Sequence, residues 1–221
     1  MKYEIITTND GSKTIYVPHL DETYHSSHGA VQEAIHVFIR HGIRAIEKRE
    51  LRVFEMGFGT GLNALLTYVE SEQFKRTIHY SGIEAYPVEL EMAMLMDYCL
   101  LIGEEYQGNF AELHQADWNR KHRLSDLFSF EKIHAKIEEF TPPHAEFDIV
   151  FFDAFGPRAQ EDMWAPSILK KMYDALIPGG FLVTYCAKGQ VKRDLKSLGF
   201  HVEALPGPPG KREMTRAWKY S

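Results

Sequence analysis

The chain has 221 residues, 44% of them hydrophobic and 25% charged, enough for one sizeable core and short for two full domains. No run approaches the ~20 consecutive apolar residues of a membrane-spanning helix, the first ten residues hold no apolar signal region, and two cysteines, Cys99 and Cys186, are too few for a disulfide framework or a thiolate metal site. A reducing cytoplasm is the expected location, and the net charge of −6 excludes a uniformly basic nucleic-acid binder while leaving room for a local basic patch.

In chain order, YEIITTNDGSKTIYV (3–17) predicts a hairpin, because Asp10-Gly11 suits a tight turn between two β-rich runs. Residues 25–50 carry Val31, Ile35, Phe38 and Ile39 at helical spacing; Ser26 or Ser27 is the expected cap and Gly42 the expected break. From Leu51 the pattern alternates. LRVFEM (51–56) reads as a strand, followed by GFGTG and a helix over 62–70. IHYSGIEA (78–85) is a second strand and 88–103 a second helix. FAELHQAD (110–117) is the expected third strand, and the polar stretch 125–140 the expected third helix. FDIVFFDAF (147–155) is a strongly apolar fourth strand in which Asp148 is expected to face solvent. A helix over 161–176 ends at Pro178-Gly179-Gly180. Strand 181–187, helix 189–198 and two strands, 200–205 and 213–220, around PGPPG complete the chain. Strands alternating with helices predict an α/β fold, a mostly parallel doubly wound sheet with an antiparallel C-terminal edge. Residues 1–50 are expected to form an N-terminal hairpin and helix packed on a main domain of residues 51–221. In such folds ligands sit at the carboxyl ends of the strands.

Charge is unevenly spread. Between Cys186 and Ser221, Lys188, Lys192, Arg193, Lys196, Lys211, Arg212, Arg216 and Lys219 stand against Asp194, Glu203 and Glu213, on an otherwise acidic body. This is either a solvated face or a surface for an anionic partner.

The loop Glu55-Met56-Gly57-Phe58-Gly59-Thr60-Gly61 lies between the first alternating strand and its helix. Glycines let the backbone turn and approach a ligand closely. Dinucleotide loops read GxGxxG, and here the last glycine comes one residue too early. Glu55 ahead of the loop disfavours a pyrophosphate and suits a cationic ligand. The spacing resembles motif I of S-adenosylmethionine-dependent methyltransferases, and favours that cofactor over NAD. Glu84 ends the second strand, where a carboxylate can accept both ribose hydroxyls of an adenosine ligand. Asp117 and Trp118 are expected on the adenine side, with edge packing as the other reading of Trp118.

Asp153 stands at the carboxyl end of the fourth strand, facing the crevice. A carboxylate there suits an amine methyl acceptor, because a primary alkylamine is mostly protonated at pH 7 and must lose a proton before its lone pair can attack. The other reading is a capping or ligand-orienting Asp. His25 and His28 lack further partners at ligand spacing, and no metal is expected. The methionines Met92, Met94 and Met96 read as core filler, and both cysteines as buried thiols.

Together GFGTGLN (57–63), FFDAFGPRAQEDMW (151–164) and GKREM (210–214) resemble one family, the methyltransferase half of the bifunctional MnmC enzymes, whose stand-alone versions are called MnmD. HGAVQEAIHVFI (28–39) is similar to the segment ahead of motif I, and the resemblance spans residues 24–217. It implies a Rossmann-like class I fold and S-adenosylmethionine-dependent N-methylation of 5-aminomethyl-2-thiouridine at tRNA wobble position 34, giving 5-methylaminomethyl-2-thiouridine. It implies Glu55, Gly57, Gly59, Gly61, Glu84, Asp117 and Trp118 at the cofactor, and Asp153 as the acid that orients the amine. Phe155, Trp164, Lys211 and Arg212 fall on the substrate side, with a core anchor as the other reading of Trp164. The resemblance covers no flavin oxidase half, so no FAD is expected, and a separate enzyme is expected to supply the aminomethyl substrate. The expected partner is the tRNA anticodon region, held by the basic C-terminal residues through phosphates, with Phe155, Trp164 or Tyr24 walling the flipped base. Two alternatives stay open: a methyltransferase for a small, polyamine-like amine, and a nucleotide-binding module without transferase activity.

Overall fold

The computed structural model describes residues 3–220. The chain begins with a small antiparallel sheet of β1 (Glu4–Thr7), β2 (Lys13–Val17) and β3 (Glu22–Thr23). Asp10 sets the predicted turn: its Oδ1 accepts hydrogen bonds from Thr8 Oγ1 at 2.7 Å and from the Ser12 amide at 3.0 Å. Its Oδ2 accepts from the Gln32 amide at 3.0 Å. Asp10 thereby caps α1 (Ala30–Ala34), a helix that runs on as a π-helical turn over Ile35–Arg40. Neither Ser26 nor Ser27 caps it. The capping position is Gly29, with φ 151°, and a Cβ there would lie 2.6 Å from Asp10 Oδ2.

The remaining elements are β4 (Glu50–Met56), α2 (Leu62–Phe74), β5 (Thr77–Glu84), α3 (Leu90–Met94), α4 (Cys99–Ile102), α5 (Gln107–Gln115), β6 (Lys121–Arg123), β7 (Phe128–His134), β8 (Phe147–Phe152), α6 (Pro166–Ala175), β9 (Leu176–Thr184), α7 (Gly189–Ser197), β10 (His201–Pro206) and β11 (Glu213–Trp218). The eight strands form one sheet in the order β10-β11-β9-β8-β4-β5-β7-β6. The five central strands are parallel, and both edges are antiparallel. Strand order reverses at β4, which has β5 on one side and β8 on the other. Buried residues of β2, α1 and the π-helical turn share one core cluster with α2 and α5 on one sheet face, and α6 and α7 cover the other.

Several sequence expectations are overturned. FAELHQAD is helical through Gln115, the end of α5, because Phe110 and Leu113 bury one face at i, i+3 spacing. The third parallel strand is β7, inside the stretch expected to be a helix. Phe128, Phe130 and Lys132 are buried there at a period of two, which the intervening polar residues disguise. Asp148 does not face solvent: it is 6% exposed, accepts from the Arg52 amide at 2.8 Å and pairs with Lys48 at 2.6 Å. The predicted helix over 88–103 is also broken, at Asp97 with φ 53°, into α3 and α4. Met96 is fully buried, Met92 and Met94 partly, and both cysteines are buried.

Candidate functional site

Sheet register decides which residues meet at the carboxyl ends of the strands. Met56 of β4 is level with Ile83 of β5 and Phe152 of β8. The next residues on these three strands are Gly57, Glu84 and Asp153, so they stand side by side. Glu84 is in turn level with His134 of β7. A cleft of about 550 Å³ opens over this edge. Its floor is Gly57, Glu84 and Asp153, and Ala135–Glu138 after β7 form one wall. Phe155 and Met163 lie beyond β8, while Tyr3, Leu20 and Tyr24 reach in from the N-terminal sheet.

The glycine loop is built for close approach. Gly57 has φ 93°, and a Cβ there would sit 3.0 Å from the Asp153 carbonyl oxygen. The Gly57 and Phe58 amides both donate to the Ile83 carbonyl, at 3.1 and 3.0 Å, which pins the loop to β5. Gly59 lies under the Tyr24 ring, and Gly61, at φ 74°, starts α2. Glu84 ties the parts together: its Oε2 accepts from the Gly59 amide and its Oε1 from the Tyr86 amide, both at 2.9 Å. Burial pushes the Glu84 carboxyl above its ordinary range despite these donors.

Behind the loop, His114 Nε2 hydrogen-bonds the Thr60 carbonyl at 3.1 Å. Burial lowers its pKa to about 4, so the ring is neutral at pH 7 and donates that bond. Lys132, 1% exposed, donates to the His114 carbonyl at 2.6 Å with its ammonium 4.8 Å from the Trp118 ring, and burial lowers its pKa to about 8.

Asp153 is the acid at the end of β8 in the cleft. Its Oδ2 accepts from Asn63 Nδ2 at 2.8 Å. Burial pushes the carboxyl well above its ordinary range, with Glu33 adding to the shift and Asn63 and Lys211 opposing it. Around it Lys211 pairs with Glu33 at 2.5 Å and lies 3.9 Å from the Tyr185 ring centre. The Tyr185 hydroxyl donates to the Ala154 carbonyl at 2.8 Å. Tyr24 and Phe155 meet edge to face at 5.0 Å inside the cleft.

The structure thus brings Gly57, Glu84, Asp153 and Phe155 into one cleft, with Gly59 and Gly61 shaping the loop beside it. Six other sequence candidates lie elsewhere. Glu55 is completely buried on the α2 face of β4 and is not among the cleft-lining residues. Asp117 is exposed and pairs with Arg120 at 3.1 Å, while Trp118 packs on Lys132 and Phe58; both follow a helix, not a strand, and so miss the crevice. Trp164 is 4% exposed, packs on Phe152 at 4.7 Å and donates its indole N–H to the Phe155 carbonyl, which makes it the anchor of the Phe155 loop. Lys211 spends its charge on Glu33 inside the protein, whereas Arg212 is exposed. Sequence reasoning missed Ala135–Glu138, which the period-two pattern of 128–132 would have placed, and Tyr3 and Leu20, which arrive by tertiary packing without a local signal. Among the described residues no helix is long and apolar enough to cross a membrane.

A family model described as S-adenosyl-L-methionine-dependent methyltransferase matches residues 97–220. The tRNA 5-methylaminomethyl-2-thiouridine biosynthesis bifunctional protein MnmC of Cupriavidus necator is 32% identical over 219 residues, covering 91% of this chain and 32% of that protein. Its namesake in Cupriavidus metallidurans is 30% identical over 228 residues, covering 97% and 33%. The chain therefore spans about a third of the length of these curated relatives. The crystal structure of MNMC2 from Aquifex aeolicus superposes with a TM-score of 0.74 at 24% identity, covering 98% of this chain and 70% of that one, a likeness of fold.

Proposed function

The chain belongs to the family of S-adenosyl-L-methionine-dependent methyltransferases, and on that premise we propose that it methylates the exocyclic amine of 5-aminomethyl-2-thiouridine at position 34 of tRNA. The observation that carries the reading is Asp153, a cleft carboxyl one register step from the glycine loop. The names of the relatives supply the nucleoside.

The cleft fits the cofactor. Gly57 and Gly59 leave open backbone where a Cβ would intrude, and Glu84 offers a buried carboxyl at the end of β5 for ribose hydroxyls. Ala135 and Ile137 give an apolar wall for a purine. S-adenosylmethionine, when bound, supplies a methyl group already activated by its sulfonium. The chain's own work is on the acceptor. An aminomethyl group arrives as an ammonium. Asp153 attracts it, takes one N–H proton, and leaves the nitrogen lone pair free to form the new N–C bond, the electron pair of the broken methyl C–S bond staying on sulfur. Holding that nitrogen beside the loop removes most of the entropy of encounter. Tyr24 and Phe155 stand where a flipped base needs apolar walls. Under this reading the enzyme works in the cytoplasm, on a substrate supplied by another enzyme.

The direct test is methyl transfer from labelled S-adenosylmethionine to bulk tRNA from cells lacking this methylation, followed by nucleoside analysis. Label is expected in 5-methylaminomethyl-2-thiouridine. No label, with cofactor binding intact, would sink the tRNA reading and direct the search to small amines.

The basic C-terminal region supports a tRNA contact in reduced form. Lys192 pairs with Glu213, Arg216 with Glu203, and Lys219 is buried against backbone carbonyls. Lys188, Arg193, Lys196 and Arg212 are exposed. Replacing these four by Ala should raise the KM for tRNA about tenfold or more near 0.15 M salt and flatten its salt dependence, since each phosphate contact contributes roughly −0.7 to −0.9 to the log–log slope. Cofactor affinity should stay at the wild-type value; an unchanged salt slope would move the tRNA surface elsewhere.

A further inference from the structure

The acid ahead of the glycine loop has no access to the cleft, yet it is not idle. Glu55 is 0% exposed, and its Oε1 accepts from Asn63 Nδ2 at 2.8 Å. The same nitrogen donates its second hydrogen to Asp153 Oδ2, also at 2.8 Å. Asn63 is 3% exposed and lies in the first turn of α2. Its Oδ1 and Glu55 Oε2 are buried without a hydrogen-bond partner, and the Tyr80 hydroxyl lies beside Glu55 without completing a bond. One amide group therefore spans a hidden acid and the acid of the acceptor site.

We propose that Glu55 acts not on the cofactor but, through Asn63, on Asp153: Glu55 fixes the Asn63 amide, and that amide holds the Asp153 carboxylate in place for the amine. The proposal rests on the reading of Asp153 given above. The chemistry of the three groups is consistent. Two carboxyls bonded to the same nitrogen cannot both ionise cheaply in a buried site. Asp153 faces Glu55 and Tyr80 from β4 and β5, Tyr98 ahead of α4, Glu33 from α1, Tyr185 beyond β9 and Lys211 from the turn before β11. Lys211 is the cation among them, and it lies on the Asp153 side. Burial and the neighbouring Asp153 push Glu55 well above the ordinary range. Burial raises both carboxyls well above the ordinary range, and Lys211 is the cation that opposes this at Asp153. A neutral acid is a poor counter-ion for a sulfonium but a good fixed acceptor for an amide hydrogen. Asn63 and Glu55 are positioning residues in this scheme, and neither touches a reacting atom.

The experiment compares Glu55→Gln, Glu55→Ala and Asn63→Ala. Cofactor affinity is read by calorimetry without tRNA, and kcat, KM and the pH profile are read with it. In Asn63→Ala, cofactor affinity should stay within about threefold while kcat falls roughly tenfold to a hundredfold, the scale of a misplaced catalytic group. Its acid limb should move to higher pH, because the carboxylate of Asp153 loses a donor that favours its charged form. Glu55→Ala should behave like Asn63→Ala. Glu55→Gln keeps an oxygen for the Asn63 amide and should rescue most of the kcat. A Glu55→Gln enzyme that binds the cofactor ten times more weakly would overturn the proposal and return Glu55 to the cofactor. So would an Asn63→Ala enzyme with unchanged kcat and acid limb. Should Asn63→Ala not fold, the contrast between the two Glu55 variants decides. Carboxyl 13C resonances of aspartate-labelled protein, assigned with Asp153→Asn, separate this inference from the tRNA reading. The Asp153 titration should shift upward in Asn63→Ala with no acceptor present. A wild-type enzyme inactive on tRNA defeats the substrate reading and leaves that shift, or its absence, to judge this one.

Discussion

Asp153→Asn should lower methyl transfer by about 10²–10⁴-fold, the usual contribution of a positioned general base, and leave cofactor affinity near the wild-type value. The substitution keeps the side chain's size, while the new amide cannot take a proton from an ammonium. Asn63 Nδ2 then faces either an amide oxygen, which it can still bond, or an amide nitrogen, which it cannot; the first orientation preserves the fold. The pH profile carries the sharper signature. Burial holds the Asp153 carboxyl well above the usual carboxylate range. A group with a raised pKa stays protonated, and useless as a base, to a higher pH than a free Asp. Wild-type activity should therefore fall as pH drops through that raised value, with a slope of one proton. Asp153→Asn should lose this limb along with most of its rate. A variant that keeps wild-type turnover and the same acid limb would remove Asp153 from the chemistry.

Glu84→Ala produces the opposite pattern. It should weaken cofactor binding by about 10- to 100-fold, because hydrogen bonds to a charged group contribute roughly 1.5–3 kcal/mol and each 1.4 kcal/mol is a factor of ten. Two losses combine. The carboxyl available to ribose hydroxyls disappears, and the Gly59 and Tyr86 amides lose their acceptor. Gly59 is then free to leave the conformation that keeps the loop open. At saturating cofactor, kcat should recover to within a few-fold of wild type, since Asp153 and Asn63 are untouched. Calorimetry gives the affinity and initial rates the split. Wild-type affinity in Glu84→Ala would show that the end of β5 does not hold the cofactor.

The glycine loop, Glu84 and Asp153 were legible because each follows a strongly apolar strand, and strand ends in a parallel sheet point into one crevice. What failed is equally specific. The third strand lies at Phe128–His134 and not at the expected 110–117: its buried Phe128, Phe130 and Lys132 alternate with Ser129 and Glu131 and so lack the continuous apolar run of β8. That one slip put Asp117 and Trp118 at the crevice in place of Ala135–Glu138. Glu55 was misplaced for another reason: motif spacing shows that an acid precedes the loop, while strand parity decides which face it takes, and Glu55 alternates with Phe54 and Met56 onto the buried α2 side. Trp164 and Lys211, expected on the substrate side, engage partners that no local pattern shows, the Phe155 carbonyl and Glu33.

The Glu33–Lys211 pair joins residues 178 positions apart. Its neighbours cross the same gap: His36 Nε2 hydrogen-bonds the Pro206 carbonyl at 2.8 Å. On a ribosome, where chains emerge from the N-terminus, β4, β5, β7 and β8 are all out before Lys211 is made. The strand ends that carry Gly57, Glu84 and Asp153 can meet on the nascent chain, whereas Glu33 waits for its cation until Lys211 arrives. Translation order therefore completes the Gly57–Glu84 side of the cleft before the Glu33–Lys211 pair beside Asp153 can close.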